Sequence, residues 1–346
     1  MSRIARLAEG LEQPLLVTAA LNLRYLTGFS SSNAALLVEP DTSATLYSDF
    51  RYAKRAREVD GVSFVETSRN LLAAVAEHLA GRSIAFEAAQ LPFAGYRLLV
   101  DAGVEATPSS GVVEALRAVK DEVEIEALRA AAALSDHVFE LLVNERFTGR
   151  TEQELAWWLE RTLREHGAEG VSFEPSVAAG ENASSPHAVP GERRIEPGVL
   201  VTIDAGCVVS GYCSDCTRAF AVGEVSDRLR WLHGLCLEAQ LAGLAAVGPG
   251  VPGVDADAAS RVPIVREGLG GAYGHGLGHG VGMEVHEAPV LRPESRDTLE
   301  PGNVVTVEPG IYLPGEGGVR IEDLVLVTAD GCERLTSFSK ELVTVA

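Results

Sequence analysis

The 346-residue chain is poor in cysteine, in basic residues and in long apolar runs. Its five cysteines are odd in number and too few for a disulfide framework, which favours a reducing, cytoplasmic compartment. No uncharged apolar run approaches about 18 residues, so we expect no membrane span. The 29 Lys and Arg against 49 Asp and Glu give a net charge of −20, which argues against binding to nucleic acids or anionic membranes.

What remains is a globular composition, with 46% hydrophobic and 23% charged residues, and a length that suggests about two domains. Residues 1–10 lack an apolar core, so we expect no signal peptide. The breaker cluster TPSSG at 107–111 precedes a helical pattern over 120–142. This change of texture predicts a domain boundary, which we place between residues 118 and 119.

The two parts differ in pattern. In the first, short apolar runs alternate with helical spacing, which predicts an α/β layer domain. Its predicted strands are residues 15–17, 34–38, 45–47 and 83–86, and a helix is predicted over 71–79. From residue 171 onward, glycine, proline and β-branched residues become frequent, which predicts an α+β domain of strands and hairpins with two or three helices.

An internal repeat marks the second part. IEPGVLVTIDAG at 195–206 and LEPGNVVTVEPG at 299–310 are identical at six of twelve positions. Each copy reads as a Pro-Gly turn followed by a β-strand. Near the end of that strand the copies place Asp204 and Glu308 at the same position. A carboxylate on an apolar strand is disfavoured unless it is paired or coordinated.

Each copy is followed by a second acid, Asp215 after the first and Glu322 after the second. The pattern predicts two hairpins related by a pseudo-two-fold axis, each delivering two carboxylates. Four converging carboxylates would repel one another, and two divalent cations would neutralise them. The alternative is a chance repeat with solvated acids in turns, which the matching order of the second acids disfavours.

A histidine cluster lies between the two hairpins. In GHGLGHGVGMEVHE at 274–287, His275 and His279 have the spacing of a helical zinc motif. The alternating glycines disfavour a helix, so we predict a loop or strand that approaches a metal or substrate closely. Four carboxylates and one imidazole suit Mn²⁺, Co²⁺ or Zn²⁺. The histidines of ordinary helical patterns are interpreted as structural: His78, His137, His166 and His233.

Together these stretches resemble the pita-bread dinuclear metallopeptidases. The similarity rests on VTIDAG, SDCTR, GHGLGH, VEPGIY and RIED. NLRYLTG at 22–28 and SDFRY at 48–52 resemble the N-terminal domain of the Xaa-Pro aminopeptidase and prolidase branch. The resemblance implies an α/β creatinase-like domain over 1–118, then an α+β pita-bread catalytic domain over 119–346 with a pseudo-two-fold repeat. It also implies a homodimer.

The resemblance also implies roles for individual residues. It implies two divalent metal ions (Mn, Co or Zn) held by Asp204, Asp215, His279, Glu308 and Glu322. It implies catalytic roles for His187, His286 and Glu308, and substrate binding by His275, Tyr312 and Arg320. The implied activity is hydrolysis of the Xaa-Pro bond of a peptide by a water bridged by two metals. Because all five ligand positions are filled, a metal-free creatinase-type hydrolase is disfavoured.

Two branches of the family and one non-enzymatic role stay open. Several similar prolidases place an arginine directly after the His-Glu-x-Pro stretch, where this chain has Val290, with Arg292 two residues later. This departure favours an aminopeptidase P-like activity over a strict Xaa-Pro dipeptidase. A non-catalytic pita-bread domain that binds peptides or proteins is the third possibility, but such domains usually lose ligands or the Gly-His run.

Overall fold

The computed structural model describes residues 1–346 and divides into two units, Met1–Arg117 and Ala118–Ala346. The first unit has a six-stranded sheet of order β4-β3-β2-β1-β5-β6. Its strands are β1 (Leu15–Val17), β2 (Ala34–Val38), β3 (Ala44–Asp49), β4 (Ser63–Thr67), β5 (Ser83–Glu87) and β6 (Glu105–Ser109). Its helices are α1 (Arg3–Ala8), α2 (Ala20–Thr27), α3 (Ala53–Ala56), α4 (Leu71–His78), α5 (Phe93–Asp101) and α6 (Val112–Ala118).

The predicted α/β layer is therefore confirmed, and the apolar strands are where the pattern places them. β1 and β2 are buried along almost their whole length, because α4 and α5 pack apolar side chains such as Val75 and Leu99 against the sheet. The two edge strands, β4 and β6, were not predicted. Their sequences SFVET and EATPS are largely polar, as expected for edges with little core to cover.

The second unit is a set of mainly antiparallel sheets covered by helices, the predicted α+β arrangement, in which only β12 and β20 pair in parallel. One sheet has the order β20-β12-β9-β8 and another β14-β13-β15-β18-β19, with smaller sheets β11-β10-β7 and β16-β17. The strands up to the first hairpin are β7 (Gly170–Val171), β8 (Ser176–Ala179), β9 (Leu200–Ala205), β10 (Cys207–Val209), β11 (Tyr212–Cys213) and β12 (Cys216–Val222). The remaining strands are β13 (Gly278–Gly280), β14 (Glu287–Leu291), β15 (Val304–Val307), β16 (Gly310–Leu313), β17 (Gly317–Arg320), β18 (Asp323–Val327), β19 (Cys332–Arg334) and β20 (Val343–Val345).

Four long helices complete this unit. They are α7 (Glu122–Leu142), α8 (Glu152–Glu165), α9 (Asp227–Ala246) and α10 (Gly253–Arg266), with 3₁₀ turns at Gly180–Ser184 and Gly270–Ala272. The capping box predicted for α8 is confirmed, because Thr151 accepts from the Glu154 backbone N–H and Glu154 returns the bond. No helix in the structure combines the length and hydropathy needed to cross a bilayer.

The sequence repeat corresponds to two antiparallel strand pairs. The first copy contains β9, which pairs with β12 and places Asp204 opposite Thr217. The second copy contains β15, which pairs with β18 and places Val307 opposite Asp323. Both strands are buried on both faces. A carboxylate at the end of either strand is therefore delivered into the interior of the unit.

Within the glycine-rich histidine segment, Gly278–Gly280 form strand β13 and the residues on either side are loops, as the predicted loop or strand has it. A side chain at Gly278 would place its Cβ 2.0 Å from the Thr306 carbonyl oxygen, and one at Gly280 would place it 2.3 Å from the Ala288 carbonyl oxygen. These glycines are required because neighbouring backbones approach too closely for any side chain. The close packing sets His279 against both flanking strands.

Candidate metal centre

The five predicted metal ligands all lie at or beside strand ends of the second unit. Asp204 is in β9 and His279 in β13, whereas Glu308 directly follows β15. Asp215 lies between β11 and β12, and Glu322 lies between β17 and β18. Each acid of the repeat and its second acid are thus delivered by strands that pair with one another. The two hairpins meet where the Glu322 backbone N–H donates to the Thr217 carbonyl oxygen at 3.1 Å.

His279 is at the centre of this cluster. One donor atom each from Asp215, His279 and Glu322 lie within 4.8 Å of one another. His279 Nε2 is 3.3 Å from Glu308 Oε1 and 3.7 Å from Asp215 Oδ2. Its Nδ1 is 3.1 Å from the Gly280 carbonyl oxygen. Because a carbonyl only accepts, Nδ1 carries a proton and Nε2 faces the carboxylates.

Asp204 provides the observation that tests whether metal ions fit. Its Oδ2 accepts a hydrogen bond from Arg320 Nη2 at 2.6 Å. Its Oδ1 is buried and has no hydrogen-bond partner. A buried carboxylate oxygen left in this way is costly, and a cation is the partner that such an oxygen accepts. Together with the oxygen-rich donor set and one imidazole, this fits the divalent cations that the resemblance implies.

The electrostatics of the cluster reflect excess negative charge. Burial, followed by the charges of Glu322, Asp204 and Glu308, raises the pKa of Asp215 well above its usual range. Burial, followed by the charges of Glu308 and Asp204, likewise raises the pKa of Glu322 well above its usual range. Burial also opposes ionisation of Glu308, but its hydrogen bond with His279 lowers the pKa of Glu308 to about 2. Without cations, protons therefore occupy part of the site.

Metal binding is consequently expected to release protons. Asp215 and Glu322 must lose their protons to coordinate, because a carboxylic acid is a poor ligand. Titrating Mn²⁺ into metal-free protein at pH 7 should release at least about one proton, and affinity should rise with pH. Calorimetry in two buffers of different ionisation enthalpy measures the release.

The matched variants for this titration are Glu322→Gln and Asp136→Asn. The first removes one of the two protonated ligands and should reduce the release. The second changes a buried aspartate of α7 that accepts hydrogen bonds from Ser337 and Phe338, so its release should match the wild type. Identical heats in both buffers for the wild-type protein would contradict the assignment of protons to these carboxyls.

Arg320 braces the acids from one side. It is 6% exposed, and its Nε donates to Thr217 Oγ1 at 3.0 Å. Thr217 in turn donates to Glu322 Oε2 at 2.7 Å. With its contact to Asp204, the guanidinium supplies positive charge to the acidic cluster and orients two of the predicted ligands, one of them through a threonine.

Tyr312 and His275 extend this network away from the acids. Arg320 Nη1 donates to Tyr312 Oη at 3.1 Å, and Tyr312 Oη is 2.8 Å from His275 Nε2. His275 Nδ1 is 2.7 Å from the Gly276 carbonyl oxygen, so Nδ1 carries a proton and Nε2 accepts from the tyrosine. Burial lowers the pKa of His275, which favours this neutral form.

The two remaining predicted residues, His187 and His286, lie in exposed loops. The His286 ring centroid is 4.3 Å from that of His279. Burial and the charge of His279 lower the pKa of His286, and the charge of His187 adds to this effect. His286 thus lies beside the ligand His279, and both His286 and His187 are exposed to solvent.

Two threonines were not predicted as site residues. Thr217 links Arg320 to Glu322 as described above. Thr306 Oγ1 accepts from the His279 backbone N–H and donates to Glu308 Oε1, both at 3.1 Å. The signal that could have found them is their place in the motifs, since Thr306 lies in the repeat and Thr217 in SDCTR. A single sequence does not distinguish such a threonine from an ordinary strand former.

The histidines interpreted as structural lie outside this network. His233 is buried in α9, and burial lowers its pKa to about 4. His78 packs against Tyr47, and His137 packs against His166 at a centroid distance of 5.1 Å. The polar contacts of the last two are local, since His137 Nδ1 lies 3.8 Å from Glu140 Oε2 and His166 Nδ1 lies 2.8 Å from the Thr162 carbonyl oxygen.

Two known domain families together match nearly the whole chain. The profile described as "Metallopeptidase family M24" matches residues 126–329, and that of the "Creatinase/Prolidase N-terminal domain" matches residues 4–119. The uncharacterized peptidase YqhT of Bacillus subtilis is 39% identical over 335 residues, which are 95% of each chain.

Several solved peptidase structures are similar to this chain over almost its full length. The Xaa-Pro dipeptidase from Bacillus anthracis is 39% identical with a TM-score of 0.96, covering 99% of both chains. The X-Pro aminopeptidase from Thermotoga maritima is 33% identical with a TM-score of 0.89, covering 96% of this chain and 97% of its own. The prolidase from Pyrococcus horikoshii is 31% identical with a TM-score of 0.93, covering 99% of both.

Proposed function

The chain belongs to metallopeptidase family M24, and from this premise we propose that it hydrolyses the Xaa-Pro bond at the N-termini of peptides, as aminopeptidase P does. Membership makes it a metallo-exopeptidase that uses divalent cations and a peptide substrate. The observation that carries the proposal is the complete five-residue donor set, in which Asp204 keeps one buried oxygen without a partner. We further propose a homodimer whose chains have domains over 1–118 and 119–346.

The ligands are assigned as the resemblance implies. Asp204 would hold one cation, and His279 and Glu308 the other, with Asp215 and Glu322 shared between them. When bound, the two cations supply Lewis acidity and a water that ionises near neutral pH. The metal could be Mn²⁺, Co²⁺ or Zn²⁺, since all three accept carboxylate and imidazole ligands.

The chain's own residues supply orientation and proton transfer. Thr306 donates to Glu308 Oε1, and Glu308 Oε2 lies 3.9 Å from Arg320 Nε. We assign Oε2 to carry a proton to the proline nitrogen, which has no N–H of its own and leaves poorly without one. His187 and His286, on the solvent side, are assigned to donate to the scissile carbonyl oxygen.

His275, Tyr312 and Arg320 are assigned to substrate binding. His275 and Tyr312 are connected by a hydrogen bond and have ring centroids 5.4 Å apart. We assign these two rings to form the side of the substrate pocket against which the proline ring packs. Arg320 orients the Tyr312 ring through its hydrogen bond to Tyr312 Oη.

A strict Xaa-Pro dipeptidase is the second candidate, favoured by the Bacillus anthracis and Pyrococcus horikoshii structures, which carry that activity in their names. The position after the His-Glu-x-Pro stretch speaks against it. Val290 pairs directly with His279 across β13 and β14. Arg292 is exposed and lies beyond the last residue of β14. The position opposite the metal ligand His279 thus holds a valine, and the nearby arginine that could bind a dipeptide's carboxylate lies two residues further along the chain.

Comparing a dipeptide with a tripeptide tests the choice. With Mn²⁺-loaded protein, kcat/KM for Ala-Pro-Ala is expected to exceed that for Ala-Pro by at least about tenfold, because the pocket lacks the carboxylate partner. A chelator should abolish both activities, and added Mn²⁺ should restore them.

Val290→Arg should shift the preference toward the dipeptide, and Val290→Gln is its uncharged control. Cleavage of Ala-Pro alone by the wild-type protein would establish the dipeptidase instead. Two bound cations without any hydrolysis would indicate the non-catalytic binding module.

A further inference from the structure

We propose that Asp257 and Arg261, two residues of α10 outside the ligand set, are positioning residues that hold His275 in place for substrate binding. They do so by anchoring the backbone of the loop 273–277, which precedes β13. The inference rests on the proposed function, which assigns His275 to substrate binding.

Helix α10 ties this loop down at three points. Arg261 Nη1 donates to the Tyr273 carbonyl oxygen at 3.0 Å, and Arg261 Nη2 donates to the His275 carbonyl oxygen at 2.5 Å. The guanidinium carbon lies 4.1 Å from the centre of the Tyr273 ring. At the other end of the loop, Asp257 Oδ1 accepts from the Leu277 backbone N–H at 2.9 Å. The carbonyl of His275 itself is one of the anchored groups.

The two anchors also hold each other. Arg261 Nε is 2.7 Å from Asp257 Oδ2, and Arg261 Nη2 is 2.9 Å from Asp257 Oδ1. The spacing of four residues places both side chains on one face of the helix. Asp257 is 1% exposed, so its charge requires the guanidinium. Arginine's planar fork can pair with a carboxylate and reach two carbonyls at once, which a lysine cannot do.

Buried side chains hold the two ends of the loop, because Tyr273 is 3% exposed and Leu277 0% exposed. The stretch around His275 between them is the part that needs the anchors from α10. Gly274 and Gly276 flank His275 and offer no side chain for packing. Glycines lose more backbone freedom on ordering than other residues. The His275 ring is fixed to Gly276 and Tyr312, but that geometry is available only while the backbone stays in place.

The nearby ligand His279 is held independently. Its backbone N–H donates to Thr306 Oγ1, and its Nδ1 contacts the Gly280 carbonyl oxygen. Glu308 contacts the end of the loop, since its backbone N–H donates to the Leu277 carbonyl oxygen at 2.8 Å, but its side chain is held separately by Thr306 Oγ1. Loosening the stretch around His275 should therefore affect substrate binding more than metal binding. This separates a positioning role from a general structural one.

The kinetic test uses Arg261→Lys and Asp257→Asn in the Mn²⁺-loaded protein. KM for Ala-Pro-Ala is expected to rise about tenfold, while kcat and Mn²⁺ affinity stay within about twofold. Arg266→Lys is the matched control, because Arg266 also lies on α10 and makes a two-pronged contact with Glu238, at 2.9 and 3.0 Å, on the exposed surface. Its KM should equal that of the wild type.

A double-mutant cycle tests whether the effect passes through His275. In a His275→Ala background, Arg261→Lys should raise KM by less than about twofold further, since the histidine it positions is gone. A full additional tenfold rise would overturn the inference, as would a KM for Arg261→Lys equal to that of Arg266→Lys.

Amide hydrogen exchange gives a readout that does not depend on activity. Exchange in the loop 273–277 is expected to be about tenfold faster in Arg261→Lys than in the wild type or in Arg266→Lys. Unchanged exchange would overturn this inference whatever the protein cleaves. A wild-type protein that cleaves no Xaa-Pro peptide would instead contradict the proposed function.

Discussion

Replacing Glu322 with alanine is expected to abolish metal binding and peptide hydrolysis together. Glu322 is 1% exposed, shares its donor cluster with Asp215 and His279 and is the second acid of the second hairpin. Without it, one hairpin loses the carboxylate assigned to both cations. Because the cations supply several kcal/mol of transition-state stabilisation, kcat/KM should fall by about a thousandfold or more. Elemental analysis and a tripeptide assay measure the two losses.

The control must separate lost coordination from lost stability. Asp136→Ala removes another buried carboxylate of the same unit, one that accepts from the backbone N–H groups of Ser337 and Phe338. It should lower the unfolding midpoint and still bind two cations. If Glu322→Ala retained both cations and full turnover, the assignment of Glu322 as a ligand would be wrong.

Replacing Arg320 with methionine is expected to lower the free energy of unfolding of the metal-loaded protein by about 3–5 kcal/mol. Methionine approximates the length of the side chain but removes its charge and donors. The change would leave Asp204, Tyr312, Thr217 and the Pro186 carbonyl without their shared donor. Urea unfolding at saturating Mn²⁺ measures the loss.

The matched control is Arg228→Met, which breaks an ion pair with Glu316 in which both side chains are about half exposed. Such surface pairs are worth at most about 1 kcal/mol. The difference between the two variants isolates the contribution of burial and of the shared acceptors. Equal losses would show that Arg320 is not the brace of the acidic cluster.

Much of the fold followed from local pattern. The apolar runs of β1 and β2 and the paired Pro-Gly turns of the repeat marked strands because burial selects β-branched and apolar residues there. The glycines at 278 and 280 excluded a helix, and the structure explains them by close backbone contact. The edge strands Ser63–Thr67 and Glu105–Ser109 escaped prediction, since a strand with little core to cover has no strong pattern.

The candidate site also contains residues that the sequence predicts and residues that it does not. Carboxylates on apolar strands stand out in a sequence because burying an unpaired charge is costly. The threonines and the Asp257–Arg261 pair do not stand out, because their residue types are ordinary for a strand or for the face of a helix. Their importance lies in what they contact.

The sequence by itself determined which residues are candidate ligands, since the repeat aligned Asp204 with Glu308 and the order of the following acids named Asp215 and Glu322. Only the tertiary structure decided how they are held. Arg320 meets Asp204 across 116 positions, leaving one oxygen of that carboxylate without a partner. Such contacts depend on strand pairing and side-chain direction, and hydrogen bonds between residues so far apart leave no periodic trace in a single sequence.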